Sequence, residues 1–571
     1  MRLHDEWSFE QPRKYKDKLS KKGNKAMTTK TCEKRLSVTQ PRNKLIAFVA
    51  IASVAFCAGT AYALDDIIVP APDGVGDVIA LTNAIAMAKD GKYRNVLLTE
   101  GVYDLKDVAM ASGTHLDCTS FSGHMLVGMG SQRGDTILKG GGVSSGCRVV
   151  NLQGNNWNYA TLSNLTVTGG YAPSGNGGGI SGHASARIID CIVSNNFAYG
   201  SKNFGGGGMF KGTAIRCLFV DNECGRDNTV AIHGGGMWCN GDTTPGGLYQ
   251  HVVDCVFSNN WCRDNGGGFY GPCDVSGCTF VGNAADASGG ALYLTGGGCA
   301  SNCYFRLNSA KEGCAVMGLS AANMVFASEF LQNTNGSASA INSVTCYDSI
   351  VTNHYGTRTV LKNCNLNGCR VADNKVEDSP NATYIVDAVD SGVACTNANC
   401  IFEGNVSSGT AGSGTMRISG AKTILNCTYA TNRVNSSNYG YIIDSGAIVY
   451  NTVYLENRVG SYDNFNKNSG CPTLINCVYS GAPSAIEDSE KCTGVFKATR
   501  AELKFSAGDA ARPYVPSIRS PLRNAAFTSN WILQAVGDKD VYGCVRVFAG
   551  GLDIGAAECV EQIPGFVLSF H

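Results

Sequence analysis

Charged side chains are scarce in this sequence: they make up 16% of the 571 residues, against roughly 25% in an average soluble domain. Proline is scarce as well, with 14 residues, and the 71 glycines do not recur at every third position, which excludes a collagen-like chain. Because 44% of the residues are hydrophobic, the chain can bury a core, and wholesale disorder is excluded. These features favour a large, glycine-rich β protein.

The net charge of zero conceals an uneven distribution along the chain. Residues 1–44 carry 13 Lys and Arg against 5 Asp and Glu, whereas residues 64–571 carry 33 against 41. Binding to phosphate backbones requires a basic face. Nucleic acid is therefore not an expected partner of this mildly acidic segment.

One long apolar run, residues 45–63, follows Arg42 and Lys44 and ends in Ala61-Tyr62-Ala63. The small residues at its end fit a signal-peptidase site near Ala63, and predict export to the cell surface or the medium. A permanent signal anchor is the alternative, because a run of this length nearly spans a bilayer. Met27 is an alternative start. No second run approaches this length, so no transmembrane domain is expected in the mature chain.

A six-residue pattern, Cys-x-φ-x-x-Asn with φ aromatic or aliphatic, recurs about every 26 residues, with Ser, Thr or Asp in place of Cys in three copies. Cys and φ two positions later share one face of a strand. The final residues of the copies are predicted to form a structural asparagine ladder: Asn196, Asn222, Asn260, Asn283, Asn308, Asn333, Asn353, Asn374, Asn405, Asn432 and Asn457.

One strand per 20–30 residues, with Gly and Asn turns and no intervening helix, is typical of a solenoid coil. Leucine-rich and helical repeats are excluded because their Leu patterns are missing, and most intervals are too short for a four-stranded propeller blade. The expected fold class is all-β: a single-stranded parallel β-helix with coils about 4.8 Å apart. Gly-Gly-Gly-φ segments such as residues 206–209 and 266–269 are expected at its corners.

The six Phe-x-x-Asn copies and the Gly-Gly-Ala-Leu segment at residues 289–292 resemble the repeats of the chlamydial polymorphic outer membrane proteins. The resemblance covers roughly residues 160–480 and implies a right-handed β-helix at the cell surface. The chain departs from that family at its end, because too few residues follow Cys477 for a typical translocator barrel.

The two ends of the predicted solenoid resemble closing modules. Asp77 precedes an amphipathic stretch, residues 78–89, and predicts a helix followed by one strand over residues 95–105, similar to the N-terminal cap of pectate-lyase-like β-helices. Residues 551–558 resemble the end of bacterial "choice-of-anchor Q" β-helix proteins, with Ala557 in place of the usual Tyr. Asp553 and Glu558 are assigned to capping rather than to a metal.

The predicted organisation has four parts. Residues 1–63 are the n-region and signal peptide, residues 64–150 the N-terminal cap and first coils, residues 151–480 the regular repeats, and residues 481–571 a C-terminal capping module.

Motifs for catalysis are sparse. Hydrolysis of glycosides needs two carboxylates at close spacing, and only Asp190 and Asp254 recur at equivalent positions, with Arg216 between them. A surface ion pair in outward strand positions is the simpler expectation for these three. His183, His233 and His251 match no metal motif. No catalytic residue, cofactor or metal is predicted.

The cysteines are expected to be mostly buried free thiols, because stacked residues have parallel Cβ vectors, a poor geometry for bridging. Five of them form a possible second stack and are the best candidates for disulfides: Cys273, Cys299, Cys364, Cys395 and Cys471.

Two function classes remain open. The first is a non-catalytic surface or secreted β-helix that serves in adhesion, glycan binding or envelope structure; the second is a polysaccharide lyase or glycoside hydrolase acting on uronic-acid polymers. Phe204, Trp238, Trp261 and Tyr270 lie beside the Gly corners and are the candidate sugar-binding residues; packing over the turns is the alternative role for them. The expected partner is an extracellular polysaccharide or an envelope component, and the expected state is a monomer.

Overall fold

The computed structural model divides the chain into two units, residues 1–62 and residues 63–571. The signal segment predicted at residues 45–63 lies outside the described residues. These are residues 65–108, 113–153, 159–199, 204–225, 232–241, 250–333, 339–356, 358–379, 383–387, 395–409, 416–435, 440–463, 472–481, 490–506, 511–548 and 551–559.

The described part of the second unit is a right-handed parallel β-helix with three long sheets. In chain order, sheet 1 contains Ile67–Val69, Asn95–Leu98, Met125–Gly128, Thr161–Ser163, Arg187–Ile189, Thr213–Ile215, His251–Val253, Asp274–Ser276, Cys299–Ser301, Met324–Phe326, Thr345–Tyr347, Asn365–Asn367, Thr396–Ala398, Thr423–Leu425, Ile448–Tyr450, Thr473–Ile475 and Cys492–Thr493. Sheet 2 contains Gly101–Asp104, Thr136–Lys139, Thr166–Thr168, Ile192–Ser194, Leu218–Val220, Val256–Ser258, Thr279–Val281, Tyr304–Arg306, Glu329–Leu331, Ile350–Thr352, Arg370–Ala372, Ile401–Glu403, Thr428–Ala430, Val453–Leu455, Val478–Tyr479 and Phe496–Lys497. Sheet 3 contains Thr114–Asp117, Arg148–Leu152, Ile180–Gly182, Met209–Phe210, Met237–Trp238, Phe269–Gly271, Leu292–Leu294, Val316–Gly318, Ile341–Asn342, Thr359–Lys362, Thr383–Asp387, Met416–Ser419 and Gly440–Ile443.

Shorter strands occupy the corner between sheets 2 and 3. A five-stranded sheet contains Tyr171–Ala172, Phe197–Ala198, Glu223–Cys224, Trp261–Cys262 and Ala284–Ala285, and a six-stranded sheet contains Tyr355–Gly356, Lys375–Ser379, Val406–Gly409, Arg433–Asn435, Arg458–Val459 and Tyr462–Asp463. Two strand pairs complete the set: Phe204–Gly205 with Ile232–His233, and Val547–Phe548 with Gly551–Leu552. Each strand of the long sheets pairs in parallel with its equivalents in the neighbouring coils, as in Val193 beside Phe219 and Phe219 beside Phe257.

A single residue in the left-handed region turns the chain from sheet 1 into sheet 2 in every coil from Asn164 onward. We call this column the turn row: Asn164, Asp190, Arg216, Asp254, Gly277, Asn302, Ala327, Asp348, Gly368, Asn399, Asn426, Asn451, Asn476 and Gly494, with φ between 44° and 67°. Gly, Asn and Asp tolerate this conformation best, which explains why they fill most of the row. Asp190, Arg216 and Asp254 were predicted in strands, but they lie at this bend, because a positive φ ends the strand.

The residues after each bend point inward, as the repeat predicts. Cys191 and Val193 are fully buried, and so are Cys255 and Phe257. The aromatic members of this column stack face to face, with Phe219, Phe257 and Phe280 separated by 4.7 and 4.8 Å between ring centroids. The core is therefore a continuous column of equivalent side chains rather than a set of separate clusters.

The asparagine ladder is present in two stretches. In each rung the Nδ2 group donates to the Oδ1 atom of the next asparagine, as from Asn196 to Asn222 at 3.1 Å, and also to a backbone carbonyl such as that of Val167. The first stretch runs from Asn196 to Asn333 and the second from Asn374 to Asn457. Asn353 was predicted as a rung, but it is exposed with φ of 55°, and His354 occupies the buried ladder position.

The Gly-rich segments lie immediately before the strands of sheet 3. The first glycine of each has positive φ, for example 73° at Gly206. A Cβ atom on the second, Gly207, would lie 2.3 Å from the carbonyl oxygen of Glu223 and 2.5 Å from that of Gly235. At Gly207 the corner therefore has no room for a side chain.

The N-terminal helix, Val78–Lys89, begins as predicted at Asp77, whose side chain accepts from the backbone N–H of Ala80 at 2.8 Å. The strand predicted over residues 95–105 is two strands, Asn95–Leu98 and Gly101–Asp104, in different sheets. Two further short helices that the sequence did not indicate, Arg500–Leu503 and Asn530–Val536, lie near the C-terminus. Single turns of 3₁₀ helix occur at Pro72–Gly74 and Gly142–Ser144. No described helix is long and apolar enough to cross a membrane.

The segment after the last coil folds back along the side of the solenoid. Its apolar residues, including Leu522 and Ile554, pack on outward side chains of sheet 2 such as Ile401 and Val453. Ile532 and Val536 pack on Leu425 of sheet 1. The C-terminal segment thus covers the lateral surface of the later coils.

Candidate functional site

The candidate site is a groove at the corner between sheets 1 and 2, with a volume of about 620 Å³. Its walls are the loop that precedes Thr136–Lys139 on one side and four successive members of the turn row, Asn164 to Asp254, on the other. We call it the corner groove; its lining residues are Ser131, Gln132, Arg133, Gly134, Asn164, Asp190, Ile192, Arg216, Cys217, Leu218, Asp254 and Val256. This volume is in the range of small-ligand sites.

The β-helix itself brings the charged residues together. Asp190, Arg216 and Asp254 are 26 and 38 residues apart in the chain, yet they lie in consecutive coils about 4.8 Å apart. Because each occupies the same left-handed bend, their side chains leave the corner in the same outward direction. The first outward position of sheet 2 supplies an apolar floor of Ile192, Leu218 and Val256.

Asp190 and Arg216 form a bidentate pair. Nε of Arg216 donates to Oδ1 of Asp190 at 2.8 Å, and Nη2 donates to Oδ2 at 2.7 Å. The Arg216 guanidinium holds the pKa of Asp190 below its usual range, with a smaller contribution from Arg133. Asp190 is therefore an ionised, geometrically fixed carboxylate and a poor proton donor at neutral pH.

Asp254 does not complete the triplet that the sequence suggested. Within the described residues no hydrogen bond or ion pair engages its carboxylate, and it influences Arg216 only through longer-range electrostatics. Its Oδ1 atom lies over Gly277, where a Cβ atom would approach to 2.2 Å. Gly277 is thus the residue that leaves room for an outward-pointing carboxylate at this coil.

Arg133 is a groove residue that no sequence pattern indicated. Its Nη1 group donates to the backbone carbonyl of Arg216 at 2.7 Å, which ties the loop to the coil 83 residues later. Its remaining N–H donors have no protein acceptor in the described chain. The loop reads Ser-Gln-Arg-Gly-Asp, a polar turn, and only its place in the solenoid reveals that it faces the turn row.

The aromatic residues selected from the sequence lie elsewhere. Trp238 and Tyr270 are neighbours on the outer face of sheet 3, but Trp238 is 7% exposed, and Tyr270 is sandwiched between His233 at 4.2 Å and Tyr293 at 5.1 Å. Trp261 is half-buried in the five-stranded sheet beside Glu223 and Ala284. Phe204 lies in a strand that pairs with Ile232–His233, and its side chain is outside the described part. Among the described side chains of this set, the structure brings together only Trp238 and Tyr270.

The histidines are dispersed in the structure, with one of them near a carboxylate. Nδ1 of His233 lies 3.4 Å from Oδ2 of Asp264, and burial lowers the pKa of His233 while Asp264 opposes that shift. His183 contacts Ser185, and His251 lies on sheet 1. No cluster of three His, Cys, Asp or Glu side chains suited to a metal ion occurs among the described residues.

Asp553 and Glu558 belong to a buried polar cluster of the C-terminal segment. Glu558 lies 3.1 Å from the Arg546 guanidinium, and its backbone N–H donates to Asp540. Burial raises the pKa of Glu558 to about 9. Because all of these groups are nearly inaccessible to solvent, they form part of the internal packing of the segment.

None of the 23 described cysteines forms a disulfide with another described cysteine, and 20 of the 23 are buried. Cys273, Cys299, Cys364 and Cys395 form no disulfide, contrary to the prediction, and Cys471 lies outside the described residues. The thiol of Cys273 instead contacts that of Cys239, and Cys299 donates to Asp274 at 3.0 Å.

No protein-family model and no curated protein matches the chain. Among solved structures, the chain is similar to the A-module of a mannuronan C-5 epimerase of Azotobacter vinelandii, with 12% identity, a TM-score of 0.28 and coverage of 75% of this chain and 99% of that one. It is also similar to tailspike protein 3 of bacteriophage CBA120, with 12% identity, a TM-score of 0.33 and coverage of 73% and 62%. A mannuronic acid specific polysaccharide family 6 lyase from human gut microbiota gives 10% identity, a TM-score of 0.30 and coverage of 76% and 92%. These similarities concern the β-helix fold alone.

Proposed function

We propose that this chain is an exported, non-catalytic β-helix protein of the cell surface or the medium, and that it binds a polysaccharide in the corner groove. The observation that carries the proposal is the composition of the groove. Two charged groups that have no ion-pair partner among the described residues, Arg133 and Asp254, flank the fixed Asp190–Arg216 pair above an apolar floor. The export part of the proposal rests on the sequence of residues 45–63.

The chemistry of a sugar ring suits this arrangement. A pyranose has apolar C–H faces and an edge of hydroxyl groups, and binding sites for such ligands combine apolar walls with a few well-placed polar groups. Ile192, Leu218 and Val256 offer the apolar surface. Arg133 supplies donors and Asp254 supplies acceptors for hydroxyl groups at the rim.

Non-catalytic binding is favoured because Asp190, the carboxylate that the β-helix holds in a fixed position in the groove, is a poor proton donor. A general acid needs a pKa near the working pH, whereas the Arg216 guanidinium lowers the pKa of Asp190. The bidentate geometry also fixes the Asp190 carboxylate toward Arg216 rather than toward a ligand.

A carbohydrate array followed by calorimetry on the best ligand tests the proposal. Arg133→Ala and Asp254→Asn should each weaken binding by roughly tenfold, as expected when one charged contact to a ligand is lost. Asp221→Asn is the matched control, because Asp221 is also exposed in a left-handed bend, with φ of 53°, but at another corner. Equal binding by all three variants would refute the assignment of the groove.

A second candidate is a lyase or hydrolase acting on uronic-acid polymers. The specific observation in its favour is that two carboxylates, Asp190 and Asp254, share one groove with an arginine. Release of reducing ends or of unsaturated sugars, abolished by Asp190→Asn and Asp254→Asn but not by Asp221→Asn, would establish this alternative.

A further inference from the structure

The turn row is occupied by protein backbone at both of its ends. At the first end, Nδ2 of Asn164 donates to the carbonyl oxygens of Gly128 and Gly130, at 3.0 and 2.8 Å. At the other end, asparagine side chains of the row donate to carbonyl oxygens of the C-terminal segment: Asn399 to Val536, Asn426 to Asp553, Asn451 to Phe527 and Asn476 to Ala525. The row thus acts as a line of donors for an oxygen-rich chain that runs across the coils.

The middle of the row is left open. Arg216, Asp254, Asn302 and Ala327 are exposed, and after Arg216, whose carbonyl accepts from Arg133, no described segment is hydrogen-bonded to the side chains of these residues. The C-terminal segment lies next to the row again from Asp348 onward. Asp348 interacts electrostatically with Lys539, and the side chain of Asn367 donates to the carbonyl oxygen of Ala535. From Asp190 to Ala327 the row crosses five coil steps, or about 24 Å. The corner groove accounts for only the first three coils of this length.

The surface beyond the groove changes from apolar to hydroxyl-rich and then to aromatic. Ser276 and Ser301 lie on the sheet 1 side of the row, and Thr279 lies on the sheet 2 side. Phe326 follows Ser301 in the next coil and stacks on Tyr347, with 5.0 Å between centroids and 10° between planes. Because its neighbour on the other side is the small Ser301, that face of the Phe326 ring is not covered by another ring. Tyr304 stands across the row, half-buried on sheet 2.

We infer that the ligand site is a track rather than a pocket: a polysaccharide bound in the corner groove continues across Gly277 and Asn302 and ends between Tyr304 and Phe326. This inference rests on the proposed function and adds the length and the far boundary of the ligand site. Asn302 supplies an amide with no protein partner in the described residues, and the two aromatic side chains supply apolar surface for a sugar face. The C-terminal segment then closes the track.

The test compares ligand lengths on the intact protein. The probes are cello-oligosaccharides and oligogalacturonides from the disaccharide to the octasaccharide, one neutral and one acidic series. In the series that binds, wild-type affinity should rise with length until the track is filled. Phe326→Ala and Tyr304→Ala should each remove roughly tenfold of the affinity for the longest oligomers and leave that for the disaccharide unchanged.

Tyr355→Ala is the matched control, because Tyr355 is an exposed aromatic residue in the six-stranded sheet, away from the row. Thermal melts of the variants exclude misfolding as the cause of a loss. Suppose that short oligomers bind and that their binding depends on Arg133. If affinity then does not rise with oligomer length, or if Phe326→Ala and Tyr304→Ala bind long oligomers as tightly as the wild type, the track is wrong and the assignment of the corner groove is retained. If neither series binds the wild-type protein, the proposed function and the track both fall.

Discussion

At the scale of single residues, His354 is the exception in an otherwise regular column. It occupies a rung of the asparagine ladder, where its backbone N–H and its Nδ1 atom both lie 3.0 Å from Oδ1 of Asn374. Its Nε2 atom is buried with no partner among the described residues. On its other side, the rung from Asn333 to the next coil is missing, because imidazole cannot provide the carboxamide oxygen that both donors of the preceding rung use.

His354→Asn should therefore stabilise the protein by about 1–2 kcal/mol at pH 7, because it restores one rung and removes a buried unsatisfied nitrogen. Urea unfolding measures the change. Asn308→His is the reverse substitution at a regular rung and should destabilise by a similar amount. A neutral or destabilising His354→Asn would mean that the lost ring volume outweighs the restored hydrogen bonds.

His354 should also make the free energy of unfolding depend on pH. Burial lowers the pKa of His354 from 6.5 to about 4, so the unfolded chain takes up a proton between these values while the folded protein does not. Stability is then intact above pH 6.5 and falls as the pH drops toward 4, by roughly 3 kcal/mol. His354→Asn should lose this component of the acid sensitivity. An identical pH profile for wild type and variant would contradict the assignment.

The sequence patterns located residues in the fold correctly where the chemistry of the side chain requires one particular position. Asn196 or Asn260 could be placed on the ladder because a carboxamide is both donor and acceptor. Asn353 was misplaced by one position because the bend before each rung also favours Asn, and His354 gave no signal for a ladder. Arg133 was missed because its role depends on a contact across 83 residues, which no local pattern contains.

At the scale of the elements, the stacked rings inside sheet 2 hold successive coils in register. Phe257 is fully buried between Phe219 and Phe280, with centroid distances of 4.7 and 4.8 Å and nearly parallel planes. A repeat protein depends mainly on such nearest-neighbour contacts. Removal of one ring therefore affects two coil interfaces and leaves distant coils unaffected.

Phe257→Ala should cost about 3–5 kcal/mol, because it leaves a cavity inside the coil. Hydrogen exchange should speed up in residues 217–283 and stay unchanged in residues 427–455. Val351→Ala removes a smaller side chain from the same column and should cost less. A loss below about 1 kcal/mol for Phe257→Ala would place the ring outside the core.

Strand positions followed from the sequence more reliably than strand ends. The period of two residues fixes which side chains point inward, so Val193 and Phe257 were oriented correctly. The bend within residues 95–105 was missed although Gly101, which has a φ of 148°, follows Thr99 and Glu100 directly. The helix Asn530–Val536 was missed because its apolar residues contact sheet 1 and give a short, weak pattern.

At the scale of the whole molecule, stacking of equivalent side chains, rather than disulfide crosslinks, holds the described coils of the solenoid together. In an oxidising environment cysteines commonly form disulfides, yet here thiols fill an inward column beside the bend between sheets 1 and 2. Cys255 and Cys278 each accept the backbone N–H of the equivalent cysteine in the preceding coil, and Cys217, Cys255 and Cys278 all donate to backbone carbonyls. Ser328, Ser349 and Thr452 occupy equivalent places and make the same kinds of bond. The position selects a small side chain that bonds the backbone, which does not require a partner cysteine.

This arrangement predicts the reactivity of the thiols. In the native protein, thiol reagents should reach few sites, because 20 of the 23 described cysteines are buried and burial raises the pKa of Cys118, Cys364 and Cys477 to about 12, which suppresses the reactive thiolate. The partly exposed Cys299, Cys492 and Cys544 should react first. After denaturation without reductant, most of the 24 cysteines beyond residue 63 should react, since equivalent residues of neighbouring coils have parallel Cβ vectors unsuited to bridging. If fewer than a quarter of these 24 cysteines react, the coils are instead held together by covalent crosslinks.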